Sequence, residues 1–236
     1  TSRTALIVVD MQRVFCEPEG DLYVPSTTAI TPRIQQLTDV CRKNGVPVVY
    51  LRHIVRGDGS DTGRMSDMYP DVDEVLARDN PMVEIIGQLA PLTGDVVVDK
   101  LFYSGFHGTD LDTILRSRDV DTLIVCGTVT NVCCDTTIRA AVPREYKVIA
   151  LSDASAAMPY PDLGWGAVTA DEVQKVALTT FAYEFGEVTS TVDIVRRLQS
   201  REQLPARQII KSEATPDRTH TCAQEGRNQS PCRPPL

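Results

Sequence analysis

Near its start the chain carries an uninterrupted apolar run, Ala5–Val9 (ALIVV), and this run limits the folds open to it. A strand with one solvent-facing side alternates apolar and polar residues, whereas a strand covered on both sides is apolar throughout. Five further strand-like runs follow, separated by stretches in which apolar residues recur at helical spacing. These predicted strands are Val46–Leu51, Asp95–Lys100, Thr122–Cys126, Lys147–Leu151 and Glu187–Ser190. Strands that alternate with helices predict an α/β fold, a three-layer doubly wound sandwich around a six-stranded parallel sheet.

The helices between these strands carry start and stop signals. Thr31 predicts a helix N-cap, Pro32 suits the first helical position after it, and Gly45 suits the end of the same helix. Thr109 predicts the cap of the helix after the third strand. The further helices are predicted at Leu111–Leu115, Val132–Ala141, Asp171–Phe185 and Thr191–Leu198.

Length and composition indicate one globular domain with two segments outside the alternating pattern. The domain covers residues 1–200 of 236, long enough to bury a sizeable core. Residues 55–92 form an insertion with at most one short helix, near Asp73–Arg78, and so long a connection is usually a functional loop or lid. Residues 201–236 are rich in proline and polar residues, so we expect this tail to be disordered or to lie against a partner.

Charge and cysteine usage exclude several classes of function. The net charge of -8 disfavours binding to nucleic acid or to an anionic membrane, and no apolar run is long enough for a membrane span. Seven cysteines without a Cys-x-x-Cys pair, beside three histidines, argue against a disulfide framework and a zinc site. The few residues before the first strand leave no room for a signal peptide. We therefore expect reduced thiols, a cytoplasmic location and no metal or other cofactor.

Three side chains with complementary chemistry follow three of the predicted strands. Asp10 comes directly after the first strand, Lys100 ends the third, and Cys133 follows the fourth within Gly127–Thr137 (GTVTNVCCDTT). The carboxyl ends of parallel strands share one edge of a sheet, where ligands bind in open α/β folds. Because Cys133 would also lie at the start of a helix, the helix dipole should favour its thiolate form. The pattern indicates a cysteine hydrolase.

Two of these assignments have competitors. His107 is the only histidine near this edge that could act as the base, but a solvated loop position is the likelier interpretation, and Asp10 is the better candidate. Cys134 adjoins Cys133 and is interpreted as a small apolar core residue. Taken one at a time, Asp10 could be a turn cap, Lys100 a surface charge and Cys133 an inert buried thiol; their joint placement favours catalysis.

The sequence resembles the isochorismatase-like cysteine hydrolases over Thr4–Leu198, and two short pieces, Arg56–Gly63 and Tyr103–Phe106, also resemble the N-carbamoylsarcosine amidases and the ureidoacrylate amidohydrolases, respectively. The matching pieces are Val8–Gln12, Val98–Phe106 with Gly108–Leu111, Gly127–Cys133 and, for the amidase group, Arg56–Gly63. The resemblance implies strand order 3-2-1-4-5-6 and an Asp–Lys–Cys catalytic triad, here Asp10, Lys100 and Cys133. Family members commonly form homodimers or homotetramers.

The resemblance also implies the details of a substrate site. It places a cis peptide at Val129–Thr130 and an oxyanion hole in the backbone N–H groups of Thr130 and Cys133. Residues where the family lines its pocket are Gln12, Phe15, Tyr103, Phe106 and Asn131, and Arg139 could pair with a substrate carboxylate, although a surface ion pair is the expected fate of that arginine. Ordinary core packing is an equal alternative for each aromatic residue.

Sequence differences from other members of the family narrow the range of activities that we expect. Nicotinamidases of this fold hold a metal through Asp-x-His after the second strand and a further histidine, whereas this region reads Leu51-Arg52-His53-Ile54-Val55. The expected function is therefore metal-free hydrolysis of a small-molecule amide, carbamoyl or ureido substrate through a thioester. Two alternatives stay open: vinyl-ether hydrolysis of an isochorismate-like acid, and a catalytically idle binding protein.

Overall fold

The computed structural model describes residues 3–200 and shows one parallel sheet of six strands. The strands are β1 (Thr4–Val9), β2 (Val48–His53), β3 (Val96–Lys100), β4 (Thr122–Thr128), β5 (Lys147–Ala156) and β6 (Glu187–Thr189). Their order across the sheet is β3-β2-β1-β4-β5-β6, and every neighbouring pair is parallel. The predicted fold class and strand order are confirmed.

Helices cover both faces of this sheet, so β1 is buried on both sides. The α-helices are α1 (Arg13–Cys16), α2 (Thr27–Lys43), α3 (Val72–Val75), α4 (Leu111–Ser117), α5 (Asp135–Ala141), α6 (Ala170–Thr180) and α7 (Thr191–Gln199). Leu6 and Val8 belong to a core shared with α2 and α7, whereas Ala5, Ile7 and Val9 belong to a second core shared with α4, α5 and α6. This division explains why β1 is apolar throughout.

Helix α2 begins one turn earlier than predicted, which corrects the assignment of Thr31 as its N-cap. The helix starts at Thr27 and contains Pro32 in its sixth position. Burial of Thr27 and Ile30 extends the apolar face of the helix toward its N-terminus. The chain tolerates Pro32 because this residue is exposed, and the carbonyl that its missing N–H would bond belongs to the exposed Thr28.

The insertion at residues 55–92 holds more regular structure than predicted. Besides α3, it forms short 3₁₀ turns at Gly63–Asp67, Pro81–Val83 and Gly87–Leu89. The only helix predicted here, near Asp73–Arg78, is found slightly earlier, at α3. A third apolar cluster, formed by Val14, Phe15, Val55, Met65, Val72 and Leu76, packs the insertion against α1. The apolar residues of the insertion and of α1 therefore form a small separate core between them.

Two remaining expectations concern the chain outside this core. The predicted tail, residues 201–236, lies outside the described residues. Among residues 3–200, no helix combines the length and apolar character that crossing a membrane requires. The five cysteines in that range are Cys16, Cys41, Cys126, Cys133 and Cys134, and all five are free thiols.

Candidate active site

The three predicted catalytic side chains meet at the carboxyl edge of the sheet. Asp10 follows β1 directly, and its φ of 48° is in the left-handed region, where aspartate is one of the few tolerated residues. Its N–H donates to the carbonyl of Leu51 on β2, so the turn is anchored to the neighbouring strand. Lys100 ends β3, two strands away from β1, a separation of about 10 Å at ordinary strand spacing. The long lysine side chain, the Asp10 side chain and the 2.8 Å contact between them together cover that distance above β2.

Lys100 and Asp10 form an ion pair without solvent access. The distance from Lys100 Nζ to Asp10 Oδ2 is 2.8 Å, and both residues are 0% exposed. Lys100 Nζ also donates to the carbonyl of Phe102 at 3.2 Å. Burial raises the pKa of Asp10, although Lys100 and the Cys133 thiol both favour its carboxylate form. Burial opposes the charge on Lys100, but Asp10 and Cys133 outweigh that effect, and the pKa of Lys100 is raised.

Cys133 lies in a π-helical turn, Thr130–Cys134, that joins β4 to α5. Wider turns of this kind are rare in proteins and frequent at functional sites. The thiol is 4% exposed, and Cys133 Sγ and an Asp10 carboxylate oxygen are less than 4.8 Å apart. Burial and the Asp10 charge raise the pKa of Cys133, which corrects the expected thiolate. The resting residue is a thiol that needs a base beside it.

The structure places the cis peptide one residue earlier than predicted. The cis bond joins Thr128 to Val129, not Val129 to Thr130. Val129 directly precedes the π-helical turn, and its carbonyl accepts hydrogen bonds from the N–H groups of Val132 and Cys134. The predicted cis peptide lies on the C-terminal side of Val129, whereas the observed one lies on its N-terminal side.

His53 is a component of the site that the sequence analysis did not assign a role. It ends β2, between Asp10 and Lys100 along the sheet edge, and its ring nitrogen Nε2 lies 3.1 Å from the carbonyl of Leu101. Burial and the Lys100 cation lower the pKa of His53 well below its ordinary value, so the ring is neutral. A carbonyl only accepts hydrogen bonds, so Nε2 carries the proton and Nδ1 keeps a lone pair. The strand-end position that identified Asp10 and Lys100 would also have identified His53.

The site contains a set of side chains with the chemistry of metal ligands. In the part of the chain that the structure describes, ligand atoms of Asp10, His53 and Cys133 all lie within 4.8 Å of one another. A carboxylate, an imidazole and a thiolate can together bind zinc. The Lys100 ammonium opposes a second cation here, because it lies 2.8 Å from Asp10 and already neutralises that carboxylate.

Buried polar atoms without partners are concentrated in this region. Within the described residues, the side-chain atoms with no hydrogen bond are Asp10 Oδ1, Thr130 Oγ1, Asn131 Oδ1 and Gln174 Oε1. Three of the four belong to the site segments, and only Gln174 lies elsewhere, on α6. Such atoms are costly to bury, and a bound polar ligand is one explanation of why they are retained.

A cavity of about 310 Å³ adjoins the catalytic residues. His53, Val129 and Val132 lie in its wall, and half of the lining residues come from the 55–92 insertion. The lining residues from the insertion are Met65, Met68, Tyr69, Pro70, Asp71, Val72, Val75 and Leu76. The insertion thus forms one wall of the cavity, and the sheet edge forms the opposite one.

The predicted substrate contacts divide into two groups. Phe15 and Tyr103 line the cavity. Asn131 lies beside it, where Nδ2 donates to the Tyr160 hydroxyl at 2.8 Å and Oδ1 is the unpartnered atom described above. Phe106 instead belongs to the core beneath α4 and stacks on Tyr146 with ring centroids 5.7 Å apart.

Gln12 and Arg139 have other partners in the structure. The Gln12 amide is fully buried; its Nε2 donates to the carbonyls of His53 and Val83, and its Oε1 accepts from the N–H of His53. These three bonds engage both ends of the amide, so its observed role is structural. Arg139 pairs with Asp135 at 2.8 Å and covers the Phe185 ring, which is the surface ion pair that was expected.

The two competitors for catalytic roles lie where the sequence analysis placed them. His107 is exposed in the loop after β3, and its ring contacts Phe102 with centroids 5.4 Å apart. Cys134 is buried in the core with residues of α4 and α5.

Comparison with known proteins gives a consistent result. The isochorismatase domain family model matches residues 4–193. Ureidoacrylate amidohydrolase RutB of Azorhizobium caulinodans is 32% identical over 213 residues, which cover 82% of this chain and 89% of that protein. N-carbamoylsarcosine amidase of an Arthrobacter species is 29% identical over 208 residues, which cover 86% of this chain and 74% of that protein.

A solved structure shows a higher level of similarity. The crystal structure of a cysteine hydrolase from Pseudomonas syringae pv. phaseolicola is 69% identical in sequence, with a TM-score of 0.84. The aligned region covers 84% of this chain and 93% of that one.

Proposed function

Because the chain belongs to the isochorismatase family, and two of its relatives are a ureidoacrylate amidohydrolase and an N-carbamoylsarcosine amidase, we propose that it is a cysteine-dependent amidohydrolase. Its substrate is a small carboxamide, carbamoyl or ureido compound. Hydrolysis runs through a thioester on Cys133 and releases ammonia or an amine. A hydrolase acting on a linear C–N bond is the common feature of the named relatives.

One observation carries this proposal, namely the buried convergence of a carboxylate, an ammonium and a thiol. Asp10, Lys100 and Cys133 come from three separate segments, and all three are almost completely buried. Burying charges is costly unless they are paired, so a fold retains such a cluster when function requires it. Asp10 Oδ1 has no hydrogen bond to any described residue, which leaves it available to accept the thiol proton.

The reaction follows from the protonation states. Asp10 accepts the proton of Cys133 while the sulfur attacks the carbonyl carbon, so an S–C bond forms as the S–H bond breaks. Protonated Asp10 then gives this proton to the leaving nitrogen, and the C–N bond breaks. A water, deprotonated by the same Asp10, attacks the thioester and releases the acid and the thiol. Lys100 keeps Asp10 oriented and charged between these steps.

The developing oxyanion needs hydrogen-bond donors. We assign this role to the backbone N–H groups of Thr130 and Cys133, the first and fourth residues of the π-helical turn. One such donor is worth about 2.7–4 kcal/mol in transition-state stabilisation. The neutral His53 ring is placed to contact the substrate, because it lies in the cavity wall and within 4.8 Å of the Cys133 sulfur.

Substitution of the nucleophile tests the proposal. Cys133→Ala should lower kcat/KM for ammonia release by at least about 10³-fold, because no other group can form the thioester. Cys134→Ala is the matched control, since it removes an adjacent thiol of similar burial and should leave most of the activity. Circular dichroism would confirm that both variants are folded. Undiminished hydrolysis in Cys133→Ala would reject the mechanism.

A screen of amides, carbamoyl amino acids and ureido acids separates this function from the two alternatives. The proposed enzyme should release ammonia, lose activity with iodoacetamide and show an acyl adduct on Cys133 by intact-mass measurement. Turnover of a vinyl ether that survives iodoacetamide would favour isochorismate-type chemistry. A complete lack of turnover and of adducts would favour a binding protein.

The compartment and the assembly belong to the same proposal. We place the enzyme in the cytoplasm, because free thiols such as Cys16, which is only partly buried, persist under reducing conditions. We also propose a homodimer or homotetramer. Analytical ultracentrifugation of the full chain would measure the assembly, and a monomer would contradict it.

A further inference from the structure

We propose that the substrate carries an uncharged, mainly apolar group beyond the scissile carbonyl, and that the cavity beside Cys133 binds this group. This inference rests on the proposed function and makes it more specific. It selects simple aliphatic or aromatic carboxamides from the broader set of carboxamide, carbamoyl and ureido compounds. Anionic substrates are thereby disfavoured.

The cavity is continuous with the catalytic residues. His53 belongs both to the cavity wall and to the cluster around Cys133. Val129 and Val132, on either side of the first residues of the π-helical turn, also line the cavity. A substrate whose carbonyl carbon reaches the Cys133 sulfur therefore extends its remaining part into this space.

The walls of the cavity are apolar and adaptable. The aliphatic, thioether and aromatic side chains among them are Phe15, Leu22, Met65, Met68, Tyr69, Val72, Val75, Leu76, Tyr103, Val129, Val132 and Met158. Thioethers adjust to irregular apolar shapes, and aromatic rings offer large flat contacts. The volume of about 310 Å³ is at the small end of ligand cavities, which matches a small molecule.

The charged residues of the cavity favour neutral ligands over anions. Asp21 and Asp71 line it and are exposed, so they lie at its mouth. Within residues 3–200, no lysine or arginine is among the lining residues. A carboxylate placed here would lose hydration without gaining a cationic partner, and the two aspartates would repel it. Lys100 cannot serve as that partner because it is already paired with Asp10.

A pair of amides of the same shape and different charge tests the proposal. In 4-methylpentanamide a terminal isopropyl group takes the place of the carboxylate of succinamate. We expect kcat/KM for 4-methylpentanamide to exceed that for succinamate by about 100-fold or more, since an unpaired carboxylate loses several kcal/mol on burial and each 1.4 kcal/mol is tenfold. Equal turnover, or a preference for succinamate, would overturn the inference.

A cation introduced into the cavity should reverse part of this preference. Met68 lines the cavity and is 64% exposed, so Met68→Arg adds a charge at low cost to the fold. Val176→Arg, on α6 at 66% exposure and outside the cavity, is the matched control. Met68→Arg should lower the ratio of the two kcat/KM values about tenfold, and Val176→Arg should leave it unchanged. An unchanged ratio in Met68→Arg would show that the substrate group binds elsewhere.

The same measurements distinguish failure of this inference from failure of the proposed function. Ammonia release from ureido or carbamoyl acids, with no turnover of neutral amides, would refute the apolar substrate and leave the cysteine hydrolase intact. Absence of ammonia from both classes, without any adduct on Cys133, would refute both.

Discussion

At the residue scale, the chemistry of the site depends on Asp10, Lys100 and Cys133, three buried groups that shift one another's pKa. Burial raises the pKa of Asp10 by more than Lys100 and Cys133 lower it, so the pKa is raised overall. The thiol pKa of Cys133 is raised as well, so a neutral thiol stands beside a charged Asp10–Lys100 pair. In the proposed mechanism Asp10 is the base, and it can accept a proton only when it is ionised. Activity should therefore rise with pH as Asp10 loses its proton.

The first prediction concerns this acid limb. In the native enzyme the lower limb of the pH profile of kcat/KM should lie above the ordinary aspartate value of 3.8, because the pKa of Asp10 is raised. Lys100 lowers that pKa, so Lys100→Gln should move the limb to higher pH and reduce kcat/KM at every pH. Lys147→Gln, an exposed position, is the control. A limb that stays in place or moves to lower pH in Lys100→Gln would contradict the assignment of Asp10 as base.

The second prediction concerns the metal-ligand chemistry of Asp10, His53 and Cys133. Because Lys100 already supplies the positive charge beside Asp10, we expect prolonged treatment with EDTA to leave kcat/KM unchanged. Atomic absorption on the purified protein, before and after treatment, provides the parallel measurement. Activity that disappears with EDTA and returns with a divalent cation would show that the cluster holds a functional metal.

At the scale of secondary structure elements, the close approach of β1 and β4 positions Asp10 and Cys133. Gly127 pairs with Val9 and has a φ of 117°. A Cβ atom at this position would lie 2.1 Å from the Val9 carbonyl oxygen, so only glycine lets the two strand ends come together here. The chain then bends at Val129 and enters the π-helical turn that carries Cys133, the proposed nucleophile.

The third prediction follows from this contact. Gly127→Ala should lower the free energy of unfolding by more than about 3 kcal/mol, because it combines an unfavourable φ with a clash against backbone. Gly164→Ala is a matched control, with a similar φ of 110° and open space around the added atom. Urea denaturation measures both. A similar loss of stability in the two variants would show that the β1–β4 contact is not the cause.

Several elements could be predicted from sequence because their signals are local. Asp10, Lys100 and Cys133 each follow an apolar run, and parallel strands bring such ends together whatever the loops do. The predicted start of α2 was wrong because burial of Ile30 in the core outweighs the N-cap signal of Thr31. Phe106 and Gln12 were assigned to the pocket, yet their partners, Tyr146 and Val83, are distant in sequence. Contacts of this kind have no local signal.

At the scale of the whole molecule, Gln12 connects three parts of the fold. Its side chain joins the end of β1 to His53 at the end of β2 and to Val83 in the insertion. The backbone of the same region adds a bridge, because Arg13 N–H donates to Glu84 and Ile86 N–H donates to Met11. The C-terminal part of the insertion is therefore tied to the strand ends that carry the proposed catalytic groups.

The fourth prediction tests this connection. Gln12→Ala should lower the free energy of unfolding by more than about 3 kcal/mol, because it leaves buried backbone groups of His53 and Val83 without partners. Hydrogen exchange should also accelerate in residues 81–90. Gln88→Ala, an exposed glutamine in the same segment, should change neither quantity. Unaltered exchange in Gln12→Ala would contradict the role of Gln12 as the link.

The contribution of one stretch of chain to half of the cavity lining has a consequence for how proteins of this fold can diversify. In the proposed mechanism the reacting groups stand at strand ends, whereas half of the residues that line the cavity come from positions 55–92. A recombination event that replaced only residues 55–92, keeping the partners of Gln12, would change the substrate preference and leave the proposed catalytic groups unaltered. Proteins that share this fold could in this way differ in substrate through changes in one segment of the chain.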